Sequence, residues 1–264
     1  MLFTVIAVAL SIVLLAGMIA FQELGRWHGR RRIAADPEGA RIGAGAIEGA
    51  MFALFGLLIA FTFYGAAGRF DQRRQLVILE ANAIGTAWLR IDLLSAPQQP
   101  KLRVLFRDYV AARLAAYHRL PDLSAAFAEL EHCNELQEQI WNEALVATAA
   151  EQSPTARMLL LPALNEMFDI SAERTANSQI HPPYVIFALL FVVGWGCAAL
   201  AGVSMAGGKC RSHLHVVLLA AITAVTVFVI LDMEYPRLGV IRLDAIDQLL
   251  IQLQQGMDEQ LRQG

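Results

Sequence analysis

Charge is scarce in this chain. Asp, Glu, Lys and Arg make up 17% of its 264 residues and the formal net charge is −3, so no strongly basic face for nucleic acid is expected. Cysteine is scarcer still. Cys133, Cys197 and Cys210 are odd in number and lack metal-site spacing, which excludes a disulfide framework and leaves the redox compartment open. Catalytic signatures are missing too. The sequence has no Walker loop, no glycine-rich turn opening a dinucleotide helix, no nucleophile elbow and no HExxH zinc-peptidase helix. No alternating strand pattern of convincing length occurs either. These absences predict an all-α protein that is not an enzyme, with no catalytic residue, no metal and no cofactor.

Two histidine patterns bear on that expectation. His213 and His215 are two residues apart, a spacing that diverges on a helix, and no third ligand accompanies them. Glu129 and His132 have the i, i+3 spacing of di-iron bundles, but the second Glu-x-x-His those sites need is absent. Interfacial histidines and a solvated helix face explain them better.

What the chain has in abundance is apolar sequence, 56% of its residues. Four runs reach the roughly 20 residues that cross a ~30 Å hydrocarbon layer. They are 2–21, 46–67, 184–206 and 214–231. The first lacks a basic leader and exceeds a signal-peptide core, so it reads as a retained span. The spans are expected to form two hairpins, one closed by the basic loop 22–45 and the other by the short "GGKCRSH". Residues 68–183 read as a helical extramembrane domain inserted between 1–67 and 184–231, and 232–264 as a turn plus an amphipathic helix. Within the domain, Leu76, Leu79, Ala83, Trp88 and Ile91 recur at helical spacing, as do Leu102, Phe106, Tyr109, Val110 and Leu114. Ser124 and Ser153 are candidate helix caps, and Pro162 should kink its helix. Basic residues do not orient the spans. Arg26, Arg30, Arg31, Arg32, Arg41, Lys209 and Arg211 on one side nearly match Arg69, Arg73, Arg74, Arg174, Arg237 and Arg242 on the other.

The second span holds the main site candidates. Glu48 stands at its mouth, suited either to the positive end of the helix dipole or to a charged ring at a pore entrance. Phe52, Phe55, Ile59 and Phe63 climb one side, with Phe52, Ile59 and Phe63 the candidate neck, beside a row of small residues, Gly45, Gly49, Ala53, Gly56 and Ala60. Such a stripe serves equally as a lipid-facing surface beside a close-packing face or as a hydrophobic constriction in an oligomer. Arg69, Asp71, Arg73 and Arg74 mark the membrane exit. Glu80 with Asn82, and Asn165 with Glu166, are polar pairs in apolar helices and are expected to form a structural network.

Longer phrases carry a resemblance. "GAIEGAMFALFGLLIAFTFYGAAGRFDQRRQLVILEANAIGTAWLRIDLL", "LLLPALNEMFDI", "HPP" and "LDMEYPRLGVIR" resemble the bacterial bestrophin-like membrane proteins of unknown function, over about residues 45 to 245. More distantly the chain is similar to bestrophin anion channels. That resemblance implies a homo-oligomer in the bacterial inner membrane, a second helix lining an aromatic and aliphatic neck, small inorganic ions as cargo, and a cytosolic domain. It also implies an acidic calcium segment after the last span. Asp232, Glu234, Asp244 and Asp247 stand near that position without forming a dense cluster, so no calcium is assigned. The expected function is thus a multi-pass, oligomeric ion channel with the lipid bilayer as its first partner. The alternative is a non-conducting scaffold or sensor that presents its helical domain to a protein.

Overall fold

The computed structural model describes residues 2–36, 44–151, 154–208 and 213–263. Among the described residues eight α-helices carry the fold, with no strand. They are α1 (Leu2–Ala35), α2 (Ala44–Arg90), α3 (Gln99–His118), α4 (Leu123–Ala149), α5 (Thr155–Gln179), α6 (Tyr184–Ser204), α7 (His213–Glu234) and α8 (Asp244–Gln263). Four helices are long and apolar enough to cross a membrane. The chain divides into two compact units, Met1–Phe70 with His181–Tyr235, and Asp71–Ile180 with Pro236–Gly264. α2 contributes residues to both.

In the first unit α1 packs along α6 and α7. Glycine makes the closest approach possible. A Cβ at Gly25 would run into the carbonyl of Ala199, and one at Gly202 into the carbonyl of Gln22. Small residues let apolar helices approach until their backbones touch, which is where dispersion is strongest. Trp195 closes the same seam, stacking on Phe21 at 5.5 Å and donating from Nε1 to the Leu14 carbonyl at 3.4 Å. α2 meets α6 through Phe55, Leu190 and Cys197. Close packing therefore joins helices that are not consecutive in sequence. The middles of both expected hairpin loops, Arg41 and Cys210 included, lie outside the described residues. Hydroxyls in these apolar helices fold back on their own backbone: Ser11 donates to the Ala7 carbonyl and Thr226 to that of Ile222, both at 2.8 Å. With no water at membrane depth this is the nearest acceptor.

The second unit is a conventional helical core. Ile84 of α2, Ile91 in the 3-10 turn that follows it, Phe106 and Val110 of α3, Ile140 of α4 and Leu164 of α5 are fully buried in it. The α2 stripe departs from expectation at Leu79, which is 40% exposed, because it sits at the edge of the face that Leu76, Ala83 and Trp88 bury. α8 lays Leu250 and Met257 into the same core, each stabilising by about 1.5–3 kcal/mol. Trp88 donates to the Gln260 side chain at 2.7 Å and secures the far end of α8. Asp122, not Ser124, caps α4, accepting from the Ala125 amide at 3.1 Å. Ser124 falls two residues too late, inside the first turn. Ser153 lies outside the described residues, and α5 continues through Pro162 as one helix.

Candidate functional site

α2 begins no later than Ala44, so Glu48 sits beyond its first turn, where the end of the helix dipole has faded. Its carboxylate accepts instead from the Ser204 hydroxyl at the end of α6. Phe52 and Ile59 are half-buried against the Phe55, Leu190 and Cys197 cluster, whereas Phe63 is 41% exposed. At 3.6 residues per turn, Glu48, Phe52, Ile59 and Phe63 fall on one line along the helix. On one flank of that line lie Phe55, Thr62 and Ala66, buried within their own unit. On the other flank Gly49, Ala53, Gly56 and Ala60 are exposed, and a Cβ added at Gly45, Gly49 or Gly56 would meet nothing within 4 Å. The small-residue row of α2 is thus unused by the single chain, in contrast to Gly17, Gly25 and Gly29 of α1 and Gly194 and Gly202 of α6.

The membrane-exit charges divide by role. Arg69 holds Glu234, whose side chain is 1% exposed, through Nε at 3.0 and 3.1 Å to the two carboxylate oxygens. Arg73 is buried and donates to the carbonyls of Ile180 at 2.8 Å and Asn177 at 3.4 Å, satisfying the open end of α5. Asp71 and Arg74 form an exposed pair at 4.0 Å, worth at most a few tenths of a kcal/mol.

The buried polar network differs from the one expected from the sequence. Asn82, Asn165 and Glu166 are exposed, each on the solvent side of its helix. Glu80 alone is buried, and its partners come from elsewhere. Arg113 donates from Nε to Glu80 Oε1 at 2.7 Å, and Arg174 donates to Oε2. Arg174 reaches Asp247 at 3.5 Å, and Asp247 accepts from Arg237 Nη2 at 2.8 Å. The three guanidinium carbons stand 5.6, 4.1 and 4.4 Å from the Tyr117 ring centroid, within cation–π range. α2, α3, α5 and α8 are thereby tied by one buried chain of ions. Burial alone would raise the Glu80 pKa, but the charges and hydrogen bonds of Arg113 and Arg174 outweigh it and hold the carboxyl below its ordinary value. Burial would lower Arg113, and its anionic and phenolic neighbours raise it instead. Tyr109, buried beside this network, is pushed up to about 12, first by desolvation. Sequence reasoning missed Arg113 and Arg174. The available signal was an arginine inside the apolar stripe "YVAARLAAY", which a buried partner must neutralise.

The remaining candidates are placed on surfaces or in ion pairs. His132 lies 3.4 Å from Glu135 on an exposed face of α4, and the partly exposed Glu129 lies 3.4 Å from Arg119 just past the end of α3. The side chain of His213 lies outside the described ones. Among the described residues no group of His, Cys, Asp and Glu is arranged to hold a metal. Glu234 and Asp247 are both engaged with arginines, and Asp244 pairs with Arg242 at 2.7 Å.

A family model described as the bestrophin-like domain matches residues 5–245. No curated protein and no solved structure matches the chain.

Proposed function

Because the chain belongs to the bestrophin-like family, we propose that this membrane protein assembles from several copies into an ion channel with α2 along the pore. The observation that carries the proposal is the coverage of α2. Its apolar window is 6% buried within the chain, against 22, 28 and 33% for the other three candidate spans. A glycine row inside a helix costs about 1 kcal/mol per residue against alanine. Close approach of a second copy would offset that cost, and lipid contact would not. With one flank against α6 and the other against a neighbour, the line through Phe52, Ile59 and Phe63 would face the axis as a hydrophobic neck, with Glu48 at its mouth. Anions are the cargo by family resemblance. The carboxylate of Glu48 works against them, and its hydrogen bond from Ser204 delocalises that charge only in part. The pairing of spans into two hairpins, a bacterial inner-membrane location and the absence of an enzymatic step belong to this reading.

Flux through liposomes tests it. Ile59→Ala with Phe63→Ala should raise halide flux by widening the neck, and Gly56→Leu should shift the detergent-solubilised protein toward smaller assemblies. A verified oligomer that passes no ion under any salt gradient would sink the channel reading. A second reading, a non-conducting scaffold, draws on apolar side chains of the helical unit, since Phe127 is 57%, Val146 64% and Met158 71% exposed. A chain monomeric in detergent, cross-linking to a different protein through those residues, would favour it.

A further inference from the structure

Buried arginines in this fold have acceptors, with one exception. Arg73 donates to helix-end carbonyls, and Arg113 and Arg174 donate to Glu80. Arg26 of α1 is only 8% exposed, yet its Nε has no hydrogen-bond partner, and among the described residues no carboxylate pairs with its guanidinium. A cation held away from bulk water without a counter-ion is costly, so this place favours an anion from outside the chain.

Position along α1 says where that anion comes from. The apolar run 2–21 is about 30 Å long as a helix, which matches the hydrocarbon layer. Arg26 stands about 7.5 Å further along the axis, at the depth of phospholipid headgroups. The end of α6 lies against it. A Cβ at Gly202 would come within 2.9 Å of the Arg26 amide nitrogen, and Gln22, one turn earlier, donates to the Met205 sulfur at 3.3 Å. That end brings no acid to Arg26. Ser204, which holds Glu48, is two residues past Gly202 and therefore on another side of α6.

Outward from this seam α1 becomes a basic, aromatic edge. Arg30 follows Arg26 by one turn on the same side and is exposed. Trp27 is 51% exposed, with the Arg31 guanidinium over its ring at 3.7 Å, and Arg32 is exposed beyond it. Tryptophan belongs at the headgroup level of a membrane, and a cluster of arginines at the end of a span attracts anionic lipid.

We propose that Arg26 and Arg30 together hold the phosphate of one phospholipid of net negative charge, with Trp27 beside its glycerol and upper acyl chains. The site lies within one chain, so it stands whether or not α2 lines a pore.

Native mass spectrometry of the full chain in detergent tests it, with phosphatidylglycerol and phosphatidylcholine of equal chain length as the titrated lipids. Phosphatidylglycerol should bind one per chain, about fivefold more tightly than phosphatidylcholine. Arg26→Gln and Arg30→Gln should each remove that preference, and Arg30, being exposed, can be changed without disturbing the helix seam. Glu23→Gln, which removes the nearest acid in the sequence of α1, and Arg74→Gln, in the exit cluster of α2, should both leave the preference in place. Equal binding of the two lipids would overturn the proposal, as would a preference that survives in Arg30→Gln or disappears in Arg74→Gln or Glu23→Gln. Displacement of the lipid by inorganic phosphate at equal concentration would do so too, because it would reveal a site for free anions.

Discussion

Glu80 ties three helices of the helical unit together. It is fully buried and ionised, and its two oxygens are divided between arginines from different helices. Removing one partner of a buried ion pair leaves a charge with neither water nor counter-ion, which costs about 3–5 kcal/mol. Arg113→Ala should lower stability by that amount in thermal melts, whereas Arg74→Ala, in an exposed pair, should change it by less than about 0.5 kcal/mol. Equal effects would show that the buried network is not under tension of this kind. In the sequence Glu80 was visible as an acid among apolar neighbours, and its nearby amide Asn82 looked like the obvious partner. It is not, because residues two apart on a helix point in different directions. Only a contact across 33 and 94 positions, to Arg113 and Arg174, satisfies the carboxylate.

Among the helices, two pairs of surfaces behave in opposite ways. The seam of α1 and α6 has no room for a side chain at Gly25 or Gly202, and the outer row of α2 has room at Gly49 and Gly56. Gly202→Ala should therefore weaken the α1–α6 seam by about 1–3 kcal/mol, the usual cost of overpacking. Gly49→Ala should leave the melting of a monomeric preparation unchanged or slightly raised, since alanine is the better helix former. Side-by-side melts in one detergent separate the two. α8 is a simpler case. Its amphipathic stripe is legible from Ile246, Leu249, Leu250, Leu253, Met257 and Leu261, and all of these but Leu249, which is 40% exposed, lie in or against the core of the helical unit. Leu250→Ala should cost about 2–5 kcal/mol there, measured by denaturation of that unit.

The whole molecule combines two kinds of cohesion, with different responses to acid. The first unit rests mainly on glycine-mediated helix contact, which does not titrate, with a single arginine pair, Arg69–Glu234, beside it. The second contains Glu80, whose carboxyl titrates lower in the fold than in the unfolded chain. Its stabilisation is in full above about pH 4.3, the ordinary carboxylate value, and is lost as pH falls below that toward the folded value. Limited proteolysis stepped downward from pH 5 should therefore first open sites in Asp71–Ile180, while fragments from Met1–Phe70 and His181–Tyr235 persist. Simultaneous loss of both units, or loss of the first one first, would contradict this division.

Local sequence was enough for the broad outline. Length and apolarity alone make α1, α2, α6 and α7 candidate spans, because a bilayer imposes its thickness on any helix that crosses it. The stripes of α3 and α8 followed from a period of 3.6 residues, which depends only on backbone geometry. Partnership was not legible in that way. That α1 lies against α6, that Arg69 holds Glu234, and that Arg113 completes Glu80 are facts about residues far apart in the chain. An isolated charge or glycine announces that it needs a partner, through desolvation or through lost packing, but many distant residues could meet the need. The packed helices choose among them.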